Sequence, residues 1–205
     1  MLAPVKGLPI ILMVAFALTR WPGLLPENFS AAYGLMFCAG IYFPKRLLWL
    51  PLATLLVTDV VLNLFYYHIS AMSLYMAGNY VGYAVLMVLG RMHSAKSSWL
   101  RLVSGGLVGA FAFYILANTM AWLREPEYRK TWAGWLLAMT TGIPGWPPPW
   151  MFLRSSLLSG GLFTGLFAGA MKLSEQAEEA AEEAEESEPE EAEEAPAPAP
   201  EESKT

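Results

Sequence analysis

The chain alternates between long apolar stretches and short polar gaps as far as residue 173, where its composition changes. The apolar stretches cover residues 4–19, 31–43, 47–66, 71–90, 100–123, 132–143 and 151–171. A helix of roughly 20 residues crosses a hydrocarbon core of about 30 Å. Three of the central stretches and the last one reach that length. The pattern therefore predicts an all-α integral membrane protein.

The shorter stretches need separate interpretations. We read 4–19 as a retained first helix, because no small-residue cleavage site follows it. Residues 31–43 rise only about 20 Å as a helix, so they must tilt, thin the bilayer locally or continue through the irregular segment before them. The stretch 132–143 runs into three prolines at 147–149 and fits a re-entrant or interfacial half-helix. We predict a compact bundle of about six transmembrane helices, with a short non-spanning element at 132–149.

Charge divides the chain into two parts. Residues 1–173 contain 12 Lys or Arg and four acidic residues, a net charge of +8, whereas residues 174–205 contain one Lys and 14 Glu, a net charge of −13. We predict a polytopic transmembrane domain over 1–173 and a disordered, Glu/Ala/Pro-rich cytoplasmic tail over 174–205. The first half of the tail could extend the last helix, because Ala and Glu favour helix. The tail is either a solvating segment or a docking strip for a basic partner.

The distribution of Lys and Arg predicts an orientation. With six crossings, seven basic residues fall on one side of the bilayer and five on the other. The positive-inside rule then favours both termini in the cytoplasm and a location in the cell (inner) membrane. We expect the lipid bilayer as the surrounding partner, and no nucleic acid.

Glycines four residues apart recur in three of the predicted helices. They are Gly78 and Gly82, Gly105 and Gly109, and Gly161, Gly165 and Gly169. This spacing keeps glycines on one helical face, where two backbones can approach closely. The last of these stripes is the longest, and all three favour a compact bundle.

Asp59 is the acidic residue inside an unambiguous span. A carboxylate at mid-bilayer is costly, so it should face the bundle interior or water. Asn63 lies one turn further on the same face. Two interpretations stay open: Asp59 contacts a ligand or cation, or acts as a protonatable switch; alternatively, it anchors a neighbouring helix or pairs with Lys45 or Arg46.

Further amides lie in the next two predicted helices. Asn79 is in the first of them, and Asn118 is one turn before Trp122 in the second. Each could serve only as a hydrogen bond between helices. Together, the candidate substrate-binding residues form a plausible polar lining for one small cavity: Asp59, Asn63, Asn79, Asn118 and Trp122.

The sequence lacks the motifs of several kinds of catalytic and metal-binding site. The chain has no phosphate-binding Gly-x-x-x-x-Gly-Lys-Ser/Thr loop and no visible Ser-His-Asp arrangement. Cys38 is the lone cysteine, and the two histidines are isolated, so we expect neither a metal nor a cofactor. Glu125 and Glu127 lie in a mixed-charge loop, which we interpret as solvated. We do not expect an enzyme.

Two stretches resemble a bacterial family of small, uncharacterised integral membrane proteins. The first is Pro-Glu-Asn-Phe-Ser at 26–30, followed by an Ala/Gly-rich helix, Pro51 and Thr58-Asp59. The second matches that family's Asn-x-x-x-Trp, Tyr-Pro-x-Thr-x-x-Gly-Leu and Ile-Pro-Phe elements with Asn118, Trp122, Tyr128, Thr131, Gly134 and Ile143-Pro144. The chain departs from the pattern at Ala31, Arg129 and 147–149.

That family is similar to the substrate-binding (S) subunits of energy-coupling-factor (ECF) vitamin transporters. The resemblance implies six helices, a small-molecule pocket near the outer face, and coupling to a separate transmembrane subunit and ATPases. The leading hypothesis is therefore a small-solute-binding transport module of unknown ligand. The rival is a structural or assembly membrane protein whose acidic tail recruits a partner.

Overall fold

The structure, a computed structural model, describes residues 8–26 and 28–193. Within these ranges it is all-helical and contains no β-strand. Its helices are α1 (Leu8–Thr19), α2 (Ala32–Tyr42), α3 (Trp49–Phe65), α4 (Leu74–Arg91), α5 (Trp99–Arg124), α6 (Trp132–Met139) and α7 (Pro149–Glu193), with a 3-10 turn at Lys45–Leu47.

Three helical segments of the described chain are long and apolar enough to cross a membrane. They are Lys45–Phe65, Trp99–Arg124 and Pro149–Glu183. Ile10–Thr19 and Ala32–Tyr42 are shorter apolar helices. Large apolar side chains on the outside of the bundle, such as Val57 and Leu158, are more than half exposed. Such a surface suits lipid, so the helices are those of a membrane protein.

Polar side chains set the starts of three helices. The hydroxyl of Ser73 accepts from the backbone N–H of Met76 at the start of α4, and Ser98 does the same for Arg101 at the start of α5. Thr131 caps α6 through the N–H of Gly134. Each cap satisfies a donor that has no partner inside its own helix.

Helix α2 lies at the centre of the molecule. Every residue from 31 to 40 is buried, and α2 packs against α4 and α7 more extensively than against the other helices. Its 11 residues rise about 16 Å. The short 31–43 stretch therefore has a different explanation from tilting or bilayer thinning: protein, not lipid, surrounds the helix, so its length need not match the hydrocarbon thickness.

The closest helix–helix approaches occur at glycines outside the predicted stripes. A Cβ on Gly40 would collide with the backbone oxygen of Met87, and a Cβ on Gly90 with that of Phe37. The backbones of α2 and α4 thus touch directly. By contrast, a Cβ on Gly161 would lie 3.0 Å from a side-chain carbon of Leu107, and a Cβ on Gly169 would lie 4.0 Å from the indole nitrogen of Trp99.

The C-terminal part of the chain agrees with the sequence in one respect and differs in another. As expected of a non-spanning element, α6 has only eight residues, which rise about 12 Å. Disorder was predicted for the whole tail from residue 174. Over 174–193 the structure instead has helix, since α7 continues to Glu193. Alanine and glutamate, which favour helix, dominate this extension. Residues 194–205 lie outside the described part of the chain.

Candidate functional site

A cavity of about 490 Å³ opens at one end of the bundle. Its walls come from the first turns of α2, α4 and α7, the last turns of α5, and the segments 125–128 and 142–149. These parts meet because α5 runs antiparallel to α4 and α7, so that its end lies beside their beginnings. The volume is within the range of about 300–1,000 Å³ that is usual for small-molecule sites.

Three packed aromatic rings form the floor of this cavity. Tyr33 on α2 meets Phe113 on α5 edge to face at 5.0 Å between ring centroids, and Tyr83 on α4 lies 4.8 Å from Phe113. All three residues are at most 8% exposed. Ser156 on α7 donates a hydrogen bond of 3.3 Å to the Tyr33 hydroxyl. The floor is therefore apolar on its faces and rigidly held.

Two tyrosines present hydroxyl groups that have no hydrogen-bond partner in the described part of the chain. Tyr83 is 8% exposed and Tyr128 is 7% exposed, and both line the cavity. Neither hydroxyl makes a hydrogen bond to another described residue. Tyr114 differs, because its hydroxyl donates to the Met139 carbonyl at 2.6 Å and so fixes the end of α6 against α5.

Asn79 on α4 and Asn118 on α5 supply amides to the cavity wall. Asn118 donates through Nδ2 to the Tyr114 carbonyl at 2.9 Å, which orients its side chain. Its Oδ1 has no hydrogen bond within the described chain, and the same is true of the Asn79 amide. Both side chains are half-buried and line the cavity.

The mouth of the cavity is acidic. Glu125 and Glu127 line it. Burial, the Glu125 carboxylate and the Glu127 carboxylate, in that order, raise the pKa of Tyr128. The Tyr128 hydroxyl thus stays protonated at neutral pH and is available as a donor. Lys130, which follows in the chain, donates instead to the backbone carbonyls of Trp122 and Glu125 at the end of α5.

The segment 142–149 forms one side of the mouth, and its backbone has positive φ angles at two glycines. Gly142 and Gly145 have φ values of +69° and +90°, a region that only glycine adopts readily. Between them and α7, Trp146 lines the cavity while 73% of its surface is exposed. Pro149 then begins α7, where its missing N–H costs no helical hydrogen bond.

Three of the five predicted site residues do not line the cavity. Asp59 on α3 forms an ion pair with Arg20, which follows α1, and accepts a 2.9 Å hydrogen bond from the Tyr80 hydroxyl on α4. Its partner is thus neither Lys45 nor Arg46. The Asn63 amide donates to the Ala71 carbonyl at 3.3 Å and so supports the α3–α4 connection.

Trp122 also has a structural contact. Its indole N–H donates to the Arg129 carbonyl at 2.9 Å and holds the loop after α5. Asn79 and Asn118 are the predicted residues that the structure brings together. The buried tyrosines and the two glutamates were not predicted as site residues. The sequence position of Glu125 could have indicated that it belongs to the site, because Glu125 lies two helical turns after Asn118.

The described residues include no group of three or more His, Cys, Asp or Glu side chains that could hold a metal ion. The arrangement suits recognition by hydrogen bonds and aromatic contact. In comparisons with known proteins, the model of a family of unknown function (DUF6580) matches residues 4–182, which is most of the chain. Neither the curated proteins nor the solved structures gave a significant match.

Proposed function

The chain belongs to the DUF6580 family, and we propose that it is the solute-binding module of a membrane transport system. The observation that carries this proposal is the pair of buried tyrosines, Tyr83 and Tyr128, whose hydroxyls line the cavity without a partner in the described chain. Both hydroxyls are open to the cavity rather than sealed inside the protein, so each can donate to or accept from a bound molecule. A ligand that bonds to both is held in one orientation by them.

The amides point to the same conclusion. The Asn118 carbonyl oxygen and the Asn79 amide add acceptors and donors that the described chain does not use. Aromatic rings and convergent polar groups occur together in small-molecule sites, in which the polar groups fix orientation and the rings supply buried area. Asp59, by contrast, has its hydrogen-bonding capacity engaged by Arg20 and Tyr80.

We further propose a membrane arrangement of six crossings, made by α1 to α5 and α7, with both termini in the cytoplasm. The cavity then lies at the outer end of the bundle, where a solute would arrive. This is the arrangement expected from the resemblance to ECF S subunits. In this view a separate transmembrane subunit and its ATPases supply the energy for release.

Native mass spectrometry of the purified protein tests solute binding. We expect a fraction of the protein to retain a bound molecule. Ala117→Phe, which fills the cavity from α5, should abolish that mass difference. Ala84→Phe is the matched control, because Ala84 is exposed on α4 away from the cavity. Loss of the bound mass in both variants, or its absence from the wild type and the Ala84→Phe control, would contradict the proposal.

Co-purification from native membranes tests the coupling. A transport module should bring down a transmembrane subunit and ATPases in fixed ratio. A preparation that retains ligand but never these partners would identify a solute-binding protein that works without ATPase coupling.

A second candidate function is supported by the length of α7. Its 45 residues extend about 67 Å, roughly twice the thickness of a hydrocarbon core. The part that leaves the bundle carries exposed glutamates, including Glu179 and Glu183. We propose as the alternative an assembly protein that recruits a basic partner with this acidic helix. Removing residues 178–205 would then abolish partner capture and leave ligand retention intact.

A further inference from the structure

The charged side chains among the described residues that line the cavity are of one sign. Among the described residues that line it, Glu125 and Glu127 carry charge, and no Lys, Arg or His is present. Neither carboxylate forms an ion pair with a described residue. The cavity therefore has two carboxylates at its mouth that are bound by no described residue in an ion pair.

The basic residues of the neighbouring loop do not line the cavity. The Lys130 ammonium is held by the carbonyls of Trp122 and Glu125, so it stabilises the end of α5. Arg124 and Arg129 precede and follow the two glutamates in sequence but do not line the cavity. An anionic ligand would meet two carboxylates and, among the described lining residues, no cation.

Aromatic rings surround the same mouth. Tyr128 and Trp146 line it, and below them lies the floor of Tyr33, Tyr83 and Phe113. The face of an aromatic ring attracts a cation, and Trp gives the strongest such contact. Carboxylates and ring faces together favour a weakly hydrated positive group, which a cation with several alkyl substituents provides.

We infer that the cavity takes an organic cation: a small metabolite with a substituted ammonium head and an apolar or aromatic body. The head lies at the mouth between the two glutamates and the rings of Tyr128 and Trp146. The body lies on the floor, where the Tyr83 hydroxyl and the two asparagines meet its polar substituents. This inference rests on the proposed solute-binding function and names the class of solute.

Three probes of nearly equal shape test the inference. Choline carries a positive charge, 3,3-dimethylbutan-1-ol replaces its nitrogen by carbon and is neutral, and 3,3-dimethylbutanoate is an anion. Titration calorimetry on the full-length protein in detergent measures the affinity for each probe. We expect choline to bind at least about fivefold more tightly than the alcohol, and the anion to bind more weakly than both.

A charge-neutral variant locates the effect. Glu125→Gln combined with Glu127→Gln should lower the affinity for choline by about tenfold and leave the affinity for the alcohol unchanged. Glu178→Gln combined with Glu179→Gln makes the same change of net charge on the distant part of α7 and should leave choline binding unaltered. An equal loss in both double variants would mean that overall charge, not the cavity, attracts the cation, and would overturn the inference.

The remaining outcomes separate this inference from the function on which it rests. If the alcohol or the anion binds as tightly as choline, the cationic class is wrong while solute binding stands. If no probe binds, the cationic class is also overturned. The retained mass in the wild type, and its loss in Ala117→Phe, then decide the solute-binding function independently.

Discussion

At the scale of single residues, Asp59 and Tyr83 are polar groups inside the bundle with different environments. Asp59 is held by Arg20 and by Tyr80, so its contacts lie within the protein. Tyr83 lines the cavity with a hydroxyl that bonds to no described residue. The two are connected through Tyr80, whose ring meets that of Tyr83 edge to face at 6.1 Å. Asp59 therefore positions the wall that Tyr83 presents.

The first prediction concerns the Asp59–Arg20 pair. Asp59→Asn leaves the Arg20 charge half-buried and unpaired. The two side chains are 18% and 19% exposed, so water screens part of the effect. We expect a loss of about 2 kcal/mol, below the roughly 3–5 kcal/mol of a fully buried pair. The double variant Asp59→Asn with Arg20→Gln should regain part of the lost stability, because no unpaired charge remains. Thermal unfolding in detergent measures both, and a loss no larger in the single than in the double variant would contradict the pairing.

The second prediction compares two tyrosines. Tyr114→Phe removes the 2.6 Å hydrogen bond to Met139 and should lower stability by about 1 kcal/mol. Tyr128→Phe removes a hydroxyl without a partner in the described chain and should leave the ligand-free protein as stable as the wild type. The same unfolding measurement without ligand compares them. Equal losses would show that Tyr128 has a structural hydrogen bond.

The third prediction follows from the raised pKa of Tyr128. A proton held more tightly in the folded state means that the full stability is present below the unfolded pKa of about 10. Stability is lost as the pH rises through the higher folded pKa. The wild type should therefore lose stability above about pH 10 more steeply than Tyr128→Phe. Parallel pH profiles of the two proteins would refute this.

At the scale of elements, the sequence predicted where helices lie better than what surrounds them. The apolar stretches 100–123 and 132–143 correspond to α5 and α6, because apolar runs and polar gaps mark helices locally. The enclosure of α2 was not predicted, since a short apolar helix has the same composition whether lipid or protein covers it. The Arg20–Asp59 pair was missed because 39 residues separate the partners, with α2 between them.

The candidate site was predictable in the same partial way. Asn79 and Asn118 could be selected because an amide within an apolar helix is unusual. Tyr83 could not be separated by sequence from tyrosines that favour the headgroup region. Glu127 was interpreted as solvated, since a charged loop residue gives no local sign of the cavity beside it.

The fourth prediction concerns the contact of α2 with α4. Gly40→Ala places a methyl group against the Met87 backbone oxygen, and overpacking of this kind costs about 1–3 kcal/mol. Gly78→Ala is the matched control, since its Cβ would lie 3.7 Å from the Met120 side chain. That variant should be neutral or slightly stabilising, because alanine favours helix. Unfolding of both in detergent tests whether the α2 and α4 backbones touch.

At the scale of the whole molecule, the fifth prediction concerns orientation. In a Cys38→Ala background, a cysteine at Ile69, which is 56% exposed between α3 and α4, should react with an impermeant maleimide from outside the cell. A cysteine at Glu183 should react only after the membrane is opened. Because the cavity lies at the same end of the bundle as position 69, the opposite pattern would put the binding site on the cytoplasmic side.

The enclosure of α2 also has a consequence for how the protein is made. The ribosome delivers α2 before α4, α5 and α7, which form most of its surroundings. Until they arrive, a segment about 16 Å long stands alone in the bilayer and leaves the Gly34 face open that the α7 backbone will fill. Chains arrested before residue 149 should therefore contact lipid at Gly34, which a photo-reactive group at that position would detect by cross-linking. The order of synthesis makes α7 the helix that completes the bundle.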